Sequence, residues 1–271
     1  MRKIVGIGLL VLLAACASNP YRGSEKIYTK QIRSFSKDLK KKETNAFVDS
    51  AGNALASQWV STVNFNLRKP NYVIIHHTAQ KSTQETLKTF TQAKTQVSAH
   101  YLIGTDGKVT QLLNDYLRAW HGGVAKWGSI SDINSVAIGI ELDNDGLSPF
   151  SDAQINALIA VLQKLKTSYT IPQSNFIGHS DIAPTRKVDP SVYFPWAKLA
   201  EKGFGYMPAP LLTEPIPTTF DPLLALRVIG YDTKDGAAAV TAFKRHFIGK
   251  NDGSDLSEED LRALYNVYCK Y

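Results

Sequence analysis

The sequence predicts an α/β fold, a mixed β-sheet flanked by helices, followed by a small all-α module of three helices. Short β-branched runs alternate with helical patterns between residues 72 and 178, as expected for strands joined by helices. A turn at Asp106-Gly107 separates two further apolar runs and predicts one antiparallel hairpin. Beyond a Pro-rich stretch at 206–219, only helical patterns follow. With 44% hydrophobic and 20% charged residues, the composition is that of a globular protein.

Five strands are predicted from short apolar runs. Residues 72–76 and 136–142 are rich in β-branched side chains and suit buried central strands, and 176–178 is a third, shorter strand. The runs 100–103 and 109–112 flank the Asp-Gly turn and form the hairpin.

The helices are predicted from apolar spacing and from capping residues. Residues 82–94 begin at Ser82, with Glu85 three positions later as in a capping box. Residues 151–169 place their apolar side chains on one face, as in an amphipathic helix. The three helices of the C-terminal module are predicted at 220–229, 235–247 and 257–270.

The N-terminus has the pattern of a secretory signal. Residues 1–3 are basic, and the apolar run 4–13 is too short to span a bilayer. The run ends in Leu-Ala-Ala-Cys at 13–16, which resembles the lipobox of bacterial lipoproteins and implies acylation of Cys16. The alternative is an ordinary signal peptide followed by a chance cysteine. If Cys16 is acylated, Cys269 is the only other cysteine and no disulfide within the chain is possible.

The basic charge of the chain is confined to its N-terminal part. The formal net charge is +7, but residues 43–271 hold 21 basic and 22 acidic side chains. A nucleic-acid-binding domain is basic itself, so that class of partner is excluded. We predict a lipid-anchored basic tether over 16–58, and two interpretations of it stay open. It is a solvated linker, or a basic arm that rests on anionic lipid headgroups or wall polymers.

Histidines and one aspartate form a candidate metal site. Five of the six histidines fall in the predicted α/β domain, at strand ends or in loops. His76, His179 and Asp189 offer two imidazoles and one carboxylate, a set that suits Zn²⁺ with a fourth position left for water or substrate. Spacing alone leaves open whether these histidines are metal ligands or simply hydrogen-bonded polar residues.

Five ordered motifs carry a family resemblance, and the last of them is highly specific. The motifs are IHHT at 75–78, SAHY at 98–101, AWH at 119–121, IGIE at 138–141 and GHSDIAPTRKVDP at 178–190. With these motifs the chain resembles the zinc-dependent N-acetylmuramoyl-L-alanine amidases of type 2 over about residues 60–205, and in particular the outer-membrane lipoproteins of that family.

The resemblance implies a role for each residue that matches the family pattern. His76, His179 and Asp189 would bind one Zn²⁺ per chain. Glu141 falls on the catalytic acid/base and Lys187 on the group that stabilises the transition state. The alternatives are a surface carboxylate for Glu141 and an ion pair with a neighbouring aspartate for Lys187.

Four further residues are candidate substrate contacts. His100, Trp120 and His121 are expected to line the cleft, although His100 equally suits a hydrogen bond that holds a loop. Arg186 either contacts a peptide carboxylate or is merely exposed.

The implied activity is hydrolysis of the amide between N-acetylmuramic acid and L-alanine, for cell-wall turnover or recycling. The expected organisation begins with a signal peptide at 1–15 and the tether at 16–58. A zinc amidase domain at 59–205, a linker at 206–219 and a peptidoglycan-binding-like helical domain at 220–271 follow. We expect a monomer anchored by lipid in the bacterial envelope, on the outer membrane facing the periplasm. Two rival functions are a non-catalytic wall-binding lipoprotein and a lytic effector aimed at other cells. The tether argues against the effector, because a tethered enzyme acts locally.

Overall fold

A computed structural model describes residues 19–40, 61–62, 64, 67–209 and 215–271. The chain divides into two compact units, residues 1–63 and 64–271, each of which is described by itself. The predicted signal peptide and Cys16 lie outside the described residues. Cys269 lies within them and is an exposed free thiol.

The described part of the N-terminal unit is a helix, α1 (Arg22–Leu39), that the sequence analysis did not predict. None of its 18 residues is buried. Of the helices in the described ranges, none combines the length and the apolar character that a bilayer crossing requires.

The C-terminal unit is built on a mixed five-stranded sheet, which confirms the predicted fold class. The strand order is β3-β2-β4-β1-β5. Strand β3 pairs antiparallel with β2 through the predicted hairpin, and the other neighbouring pairs are parallel. The strands are β1 (Tyr72–His77), β2 (Tyr101–Ile103), β3 (Val109–Gln111), β4 (Ala137–Leu142) and β5 (Phe176–Gly178).

One face of the sheet packs against the long helix α4 (Asp152–Tyr169). Alternate residues of β4, Ile138, Ile140 and Leu142, join Leu158 and Leu162 of α4 in one fully buried cluster. Ser151 caps α4 by accepting a hydrogen bond from the Gln154 N–H, so the predicted helix begins where its sequence pattern does.

Helix α2 (Thr83–Phe90) is shorter than the predicted 82–94. Ser82 caps it as expected. Where it ends, two threonine hydroxyls donate to carbonyls of its last turn, Thr91 to Leu87 and Thr95 to Thr89, each at 2.8 Å. The bond from Thr95 supplies a donor to a carbonyl at the helix end, where carbonyls have no partner within the helix.

The other face of the sheet carries short helices and the C-terminal helices. Sheet residues Ile74 and Ile177 share a buried cluster with Leu226, Phe243 and Leu264 of the C-terminal helices. The helical module therefore packs in the same core as the sheet. The helices of this face are α3 (Ile133–Val136), α5 (His179–Ile182), α7 (Pro222–Ile229), α8 (Gly236–Phe243) with a π-turn at Lys244–Ile248, and α9 (Glu258–Tyr268). Helix α6 (Trp196–Ala200) packs instead with α4, since Trp196 and Leu199 belong to the cluster on the α4 face.

A buried aspartate joins the C-terminal helices to α5. Asp181 Oδ1 accepts from the Tyr231 hydroxyl at 2.6 Å, and its Oδ2 pairs with His246 Nδ1 at 2.7 Å. The same Oδ2 accepts from the Gly178 N–H at 2.7 Å, one residue before His179. His246 is stacked on Trp196 with ring centroids 3.8 Å apart. The C-terminal helices thus fix the turn that begins at His179.

Replacement of Tyr231 by phenylalanine is expected to destabilise the C-terminal unit. The substitution leaves a buried carboxylate oxygen of Asp181 without its donor, which lowers the free energy of unfolding by about 1–3 kcal/mol. Denaturant unfolding measures the effect. Tyr193→Phe is the matched control, because Tyr193 is 51% exposed and should change stability by less than about 0.5 kcal/mol. Equal stability of the two variants would contradict a role for this hydrogen bond.

Candidate active site

A cavity of about 400 Å³ opens at the carboxyl ends of the parallel strands. Ligand sites of parallel sheets form at this edge because the loops that follow the strands converge there. Of the nine residues predicted from sequence for metal, catalytic or substrate contacts, all but His100 line it: His76, Trp120, His121, Glu141, His179, Arg186, Lys187 and Asp189.

Three of these side chains converge on one point. His76 is the penultimate residue of β1, His179 follows β5, and Asp189 lies on the loop after α5. The distance from His179 Nδ1 to His76 Nδ1 is 2.9 Å, and that to Asp189 Oδ2 is also 2.9 Å. His76 Nδ1 lies 3.2 Å from the same carboxylate oxygen. The structure therefore brings the three predicted ligands together.

The chemistry of these three groups fits a zinc ion. Burial, with the imidazole of His179 as a neighbour, lowers the pKa of His76 to about 4, so the His76 ring is neutral and has a lone pair at neutral pH. Burial alone would raise the pKa of Asp189, but its interactions with His179 and His76 outweigh burial and hold that pKa well below its usual range. Two imidazoles and one carboxylate are a common catalytic zinc set.

Hydrogen bonds at the far ring nitrogens orient both imidazoles. His179 Nε2 lies 3.2 Å from the Gly122 carbonyl oxygen, and His76 Nε2 lies 3.2 Å from His121 Nδ1. When both far nitrogens act as the donors, each Nδ1 keeps a lone pair that can bind a metal. Asn134 Oδ1 accepts from the His121 and Gly122 N–H groups at 3.1 and 2.8 Å. His121 therefore lines the cavity and also supports a ligand.

Gly139 makes room for the His121 ring. A Cβ at residue 139 would lie 2.6 Å from His121 Cδ2, far inside van der Waals contact. Gly139→Ala is therefore expected to displace His121, weaken zinc binding and destabilise the unit by about 1–3 kcal/mol. Thermal unfolding and zinc titration test this. Gly23→Ala is the control, since no atom lies within 4 Å of a Cβ there. Wild-type zinc affinity in Gly139→Ala would contradict the support assigned to His121.

Glu141 lies beside the ligand cluster because of the strand register. It is the Cα partner of His76 across the parallel pair β1–β4, so both side chains leave the same face of the sheet. Its Oε2 is buried and has no hydrogen-bond partner within the described part of the chain. Burial, helped by the negative charge of Asp189 and opposed by Lys187, raises the pKa of Glu141 to about 8. Glu141 thus lines the cavity with its Oε2 buried, unlike a surface carboxylate.

Lys187 lies on the cavity wall next to Asp189. Its charge acts on both His76 and Glu141. Within the described ranges, the ion pairs of Asp181 and Asp189 are made with histidines and none involves Lys187. The ammonium group is therefore available to a negative charge in the cavity.

The remaining predicted contacts lie in different environments. Trp120 is 48% exposed at the cavity, and Arg186 Nη2 donates to the carbonyls of Gly122 and Val124, each at 2.8 Å. His100 is fully buried: its Nδ1 accepts from the Gly139 N–H at 3.1 Å, and its Nε2 lies 3.0 Å from the Leu117 carbonyl oxygen. These bonds lock β4 to a loop and leave no ring nitrogen of His100 for a ligand.

One wall of the cavity was not anticipated from sequence. It comes from α2 and the segments around it, and it includes Gln80, whose buried Oε1 has no hydrogen-bond partner among the described residues. Gln80 Nε2 donates to Thr89 Oγ1 at 3.1 Å, which fixes the amide. No local pattern marks these residues, since only the packing of α2 brings them to the site. The wall is formed by Gln80, Thr86, Thr89, Phe90 and Val97.

Comparison with known proteins supports the family resemblance that the sequence motifs indicate. A family model described as N-acetylmuramoyl-L-alanine amidase matches residues 66–192. The chain is 38% identical over 152 residues to the N-acetylmuramoyl-L-alanine amidase AmiD of Escherichia coli, covering 50% of this chain and 54% of that protein. It is 43% identical over 103 residues to the 1,6-anhydro-N-acetylmuramyl-L-alanine amidase AmpD of Haemophilus influenzae, covering 38% and 56%. These alignments span about half the length of the curated relatives.

Two solved structures match over longer stretches. E. coli AmiD in complex with the substrate anhydro-N-acetylmuramic acid-L-Ala-D-gamma-Glu-L-Lys is 30% identical, with a TM-score of 0.68 and coverage of 83% of this chain and 98% of that one. AmpDh3 of Pseudomonas aeruginosa with anhydromuramic pentapeptide is 29% identical, with a TM-score of 0.66 and coverage of 79% and 96%. The fold, the ordered motifs and a match that spans nearly a whole solved relative agree, and the chain belongs to the family of N-acetylmuramoyl-L-alanine amidases.

Proposed function

We propose that this protein is a zinc-dependent hydrolase of the amide bond between N-acetylmuramic acid and L-alanine in peptidoglycan or its fragments. The observation that carries the proposal is the convergence of His76, His179 and Asp189 at a cavity that also holds Glu141 and Lys187. A bound Zn²⁺ would supply a Lewis acid that polarises the amide carbonyl and lowers the pKa of water.

Protein side chains would supply proton transfer and stabilisation of the negative charge that develops in the reaction. In its ionised form, Glu141 would accept the proton of the attacking water and then deliver it to the leaving amine of L-alanine, as a general base that becomes a general acid. Lys187 would hold a positive charge near the oxygen of the tetrahedral intermediate, where negative charge develops. The buried Oε1 of Gln80, which has no hydrogen-bond partner among the described residues, is suited to accept a hydrogen bond from a peptide N–H of the substrate.

The substrates we propose are muropeptides, because the two solved relatives hold ligands of that class. Trp120 offers an exposed ring at the cavity, and aromatic rings bind sugar and peptide surfaces through their apolar faces. We propose that module 220–271 helps to hold the polymer, with the exposed side chains of Leu223, Leu224 and Val228 on α7 as its contact surface.

The proposed location is the outer membrane facing the periplasm, in a monomer anchored through acylated Cys16. Residues 16–58 would act as the tether and 206–219 as the linker between the two modules. Metabolic labelling with a fatty acid tests the anchor directly: Cys16→Ser should abolish incorporation, whereas Cys269→Ser should not.

Incubation with a defined muropeptide tests the activity. The chain from residue 17 onward, which contains every described residue, is expected to release free stem peptide with a new L-alanine amino terminus, detected by mass spectrometry. EDTA is expected to stop release and added zinc to restore it. Zinc-loaded protein that binds the fragment yet releases no peptide would identify a wall-binding protein instead and contradict the proposal.

Lys187→Met is expected to lower kcat about 100- to 1,000-fold with little change in zinc content, because one charge that stabilises the oxyanion is lost. Rates on a soluble muropeptide and metal analysis measure both effects. Lys234→Met is the matched control, since Lys234 is exposed on the loop before α8. A variant with unchanged kcat and raised KM would place Lys187 in ground-state binding and not in transition-state stabilisation.

A further inference from the structure

Helix α1 carries an apolar stripe along one side. Tyr28, Ile32, Phe35 and Leu39 are spaced by four, three and four residues, which places them on one side of a helix. Tyr28 is 40%, Phe35 51% and Leu39 78% exposed. Because no residue of α1 is buried, the described structure gives this stripe no protein partner.

The opposite side of the same helix is basic. Five cationic side chains recur at spacings of four, four, three and four residues, so they also follow one side of the helix. At 100° per residue, the two stripes are centred roughly 150° apart. The acidic residues of α1 are only Glu25 and Asp38. The basic residues are Arg22, Lys26, Lys30, Arg33 and Lys37.

We propose that α1 is an interfacial helix that lies on an anionic lipid surface. Helices with a narrow apolar stripe, a basic opposite face and low overall hydrophobicity bind in the plane of the membrane interface, with the apolar side chains inserted. The long Lys and Arg stems let their charges reach the headgroups. Arg22 follows Cys16 by only six residues, about 20 Å when extended, so an anchored chain would hold α1 at the bilayer.

The stripe suits a second copy of the chain less well. Its spacing resembles a coiled-coil seam, but it covers only 28–39, and a stable coiled coil needs about three or four heptads. The positions that flank the seam hold Thr29, Gln31, Ser36 and Asp38, none of which is basic, so no pairs of opposite charge would form between copies. A hydrated polysaccharide is also a less suitable partner, because it offers no apolar phase in which the side chains of Phe35 and Leu39 could be buried.

Sedimentation with vesicles tests the proposal, with the unacylated chain from residue 17 onward as the protein. We expect partition to vesicles of phosphatidylethanolamine and phosphatidylglycerol, reduced by salt, and weak partition to phosphatidylcholine vesicles. Each basic residue near an anionic surface contributes about fivefold in affinity. The variant Lys26→Gln/Lys30→Gln/Arg33→Gln should therefore bind about 100-fold more weakly, and glutamine keeps the helix propensity of lysine and arginine.

Two further variants separate insertion from general charge. Phe35→Ser/Leu39→Ser should lower partition at least tenfold, because two inserted side chains are lost. Lys108→Gln/Lys202→Gln/Lys234→Gln removes the same charge from exposed sites in the C-terminal unit and should change partition less than twofold. Release of peptide from a soluble muropeptide should be unchanged in all three variants, so failure of membrane binding is distinguishable from failure of the proposed hydrolysis.

Three results would overturn the proposal. The first is equal partition of all variants. The second is concentration-dependent dimerisation in analytical ultracentrifugation that is lost in Phe35→Ser/Leu39→Ser, without vesicle binding. The third is sedimentation with insoluble peptidoglycan that depends on Lys26, Lys30 and Arg33, again without vesicle binding.

Discussion

Asp189→Ala is expected to lose its zinc and all measurable peptide release. The substitution removes the only anionic member of the ligand cluster, whose Oδ2 lies 2.9 Å from His179 Nδ1 and 3.2 Å from His76 Nδ1. Replacing even a supporting residue of a zinc site costs about 10- to 100-fold in metal affinity, so loss of a ligand should cost more than about 100-fold. Competition with a chromogenic chelator measures the affinity.

A matched carboxylate control makes this result interpretable. Glu201→Ala removes an exposed carboxylate near the end of α6 and should bind zinc as the wild type does. Since zinc stabilises only the folded state, adding it should raise the Tm of wild type and of Glu201→Ala, and leave that of Asp189→Ala nearly unchanged. One equivalent of tightly bound zinc in Asp189→Ala would show that the metal is held by other residues.

The elements of the C-terminal unit were predictable where local periodicity and capping determine them. The β-branched run that contains Ile74 and the Ser151 cap of α4 each carry their own signal within a few residues. At the early end of α2, the hydroxyls of Thr91 and Thr95 bond to the last turn of the helix, and an apolar pattern does not show such contacts. Periodicity also indicates that Leu226 is buried, but not that it shares a core with the sheet.

Helix α1 was missed because its composition, taken without the spacing of its apolar residues, does not indicate a helix. Its high content of basic and polar residues predicts a tether, because chains that bury little apolar surface gain little from folding. The apolar side chains of α1 are few, but their spacing of three and four residues is that of one side of a helix. For His100, two interpretations stayed open because its partners, the Gly139 N–H and the Leu117 carbonyl, come from other segments. Only the folded chain brings those groups to it.

Glu141→Gln is expected to keep the zinc and lose turnover. The change preserves the size of the side chain and removes its capacity to accept and return a proton, so kcat should fall about 100- to 10,000-fold. Strand register places Glu141 across from His76, but its carboxylate is not one of the converging ligand atoms, which is why metal binding should survive. Metal analysis and single-turnover rates on a defined muropeptide measure the two properties separately.

The same variant discriminates between the possible roles of the site. Glu201→Gln, the same chemical change on an exposed helix end, should retain both zinc and rate. Loss of zinc in Glu141→Gln would make Glu141 a ligand, and an unchanged rate would remove it from the proton transfer. Wild-type affinity for the muropeptide together with a lost rate would separate chemistry from recognition. A protein that only binds the wall has no such step to lose, so the fall in kcat at constant affinity is the result specific to a hydrolase.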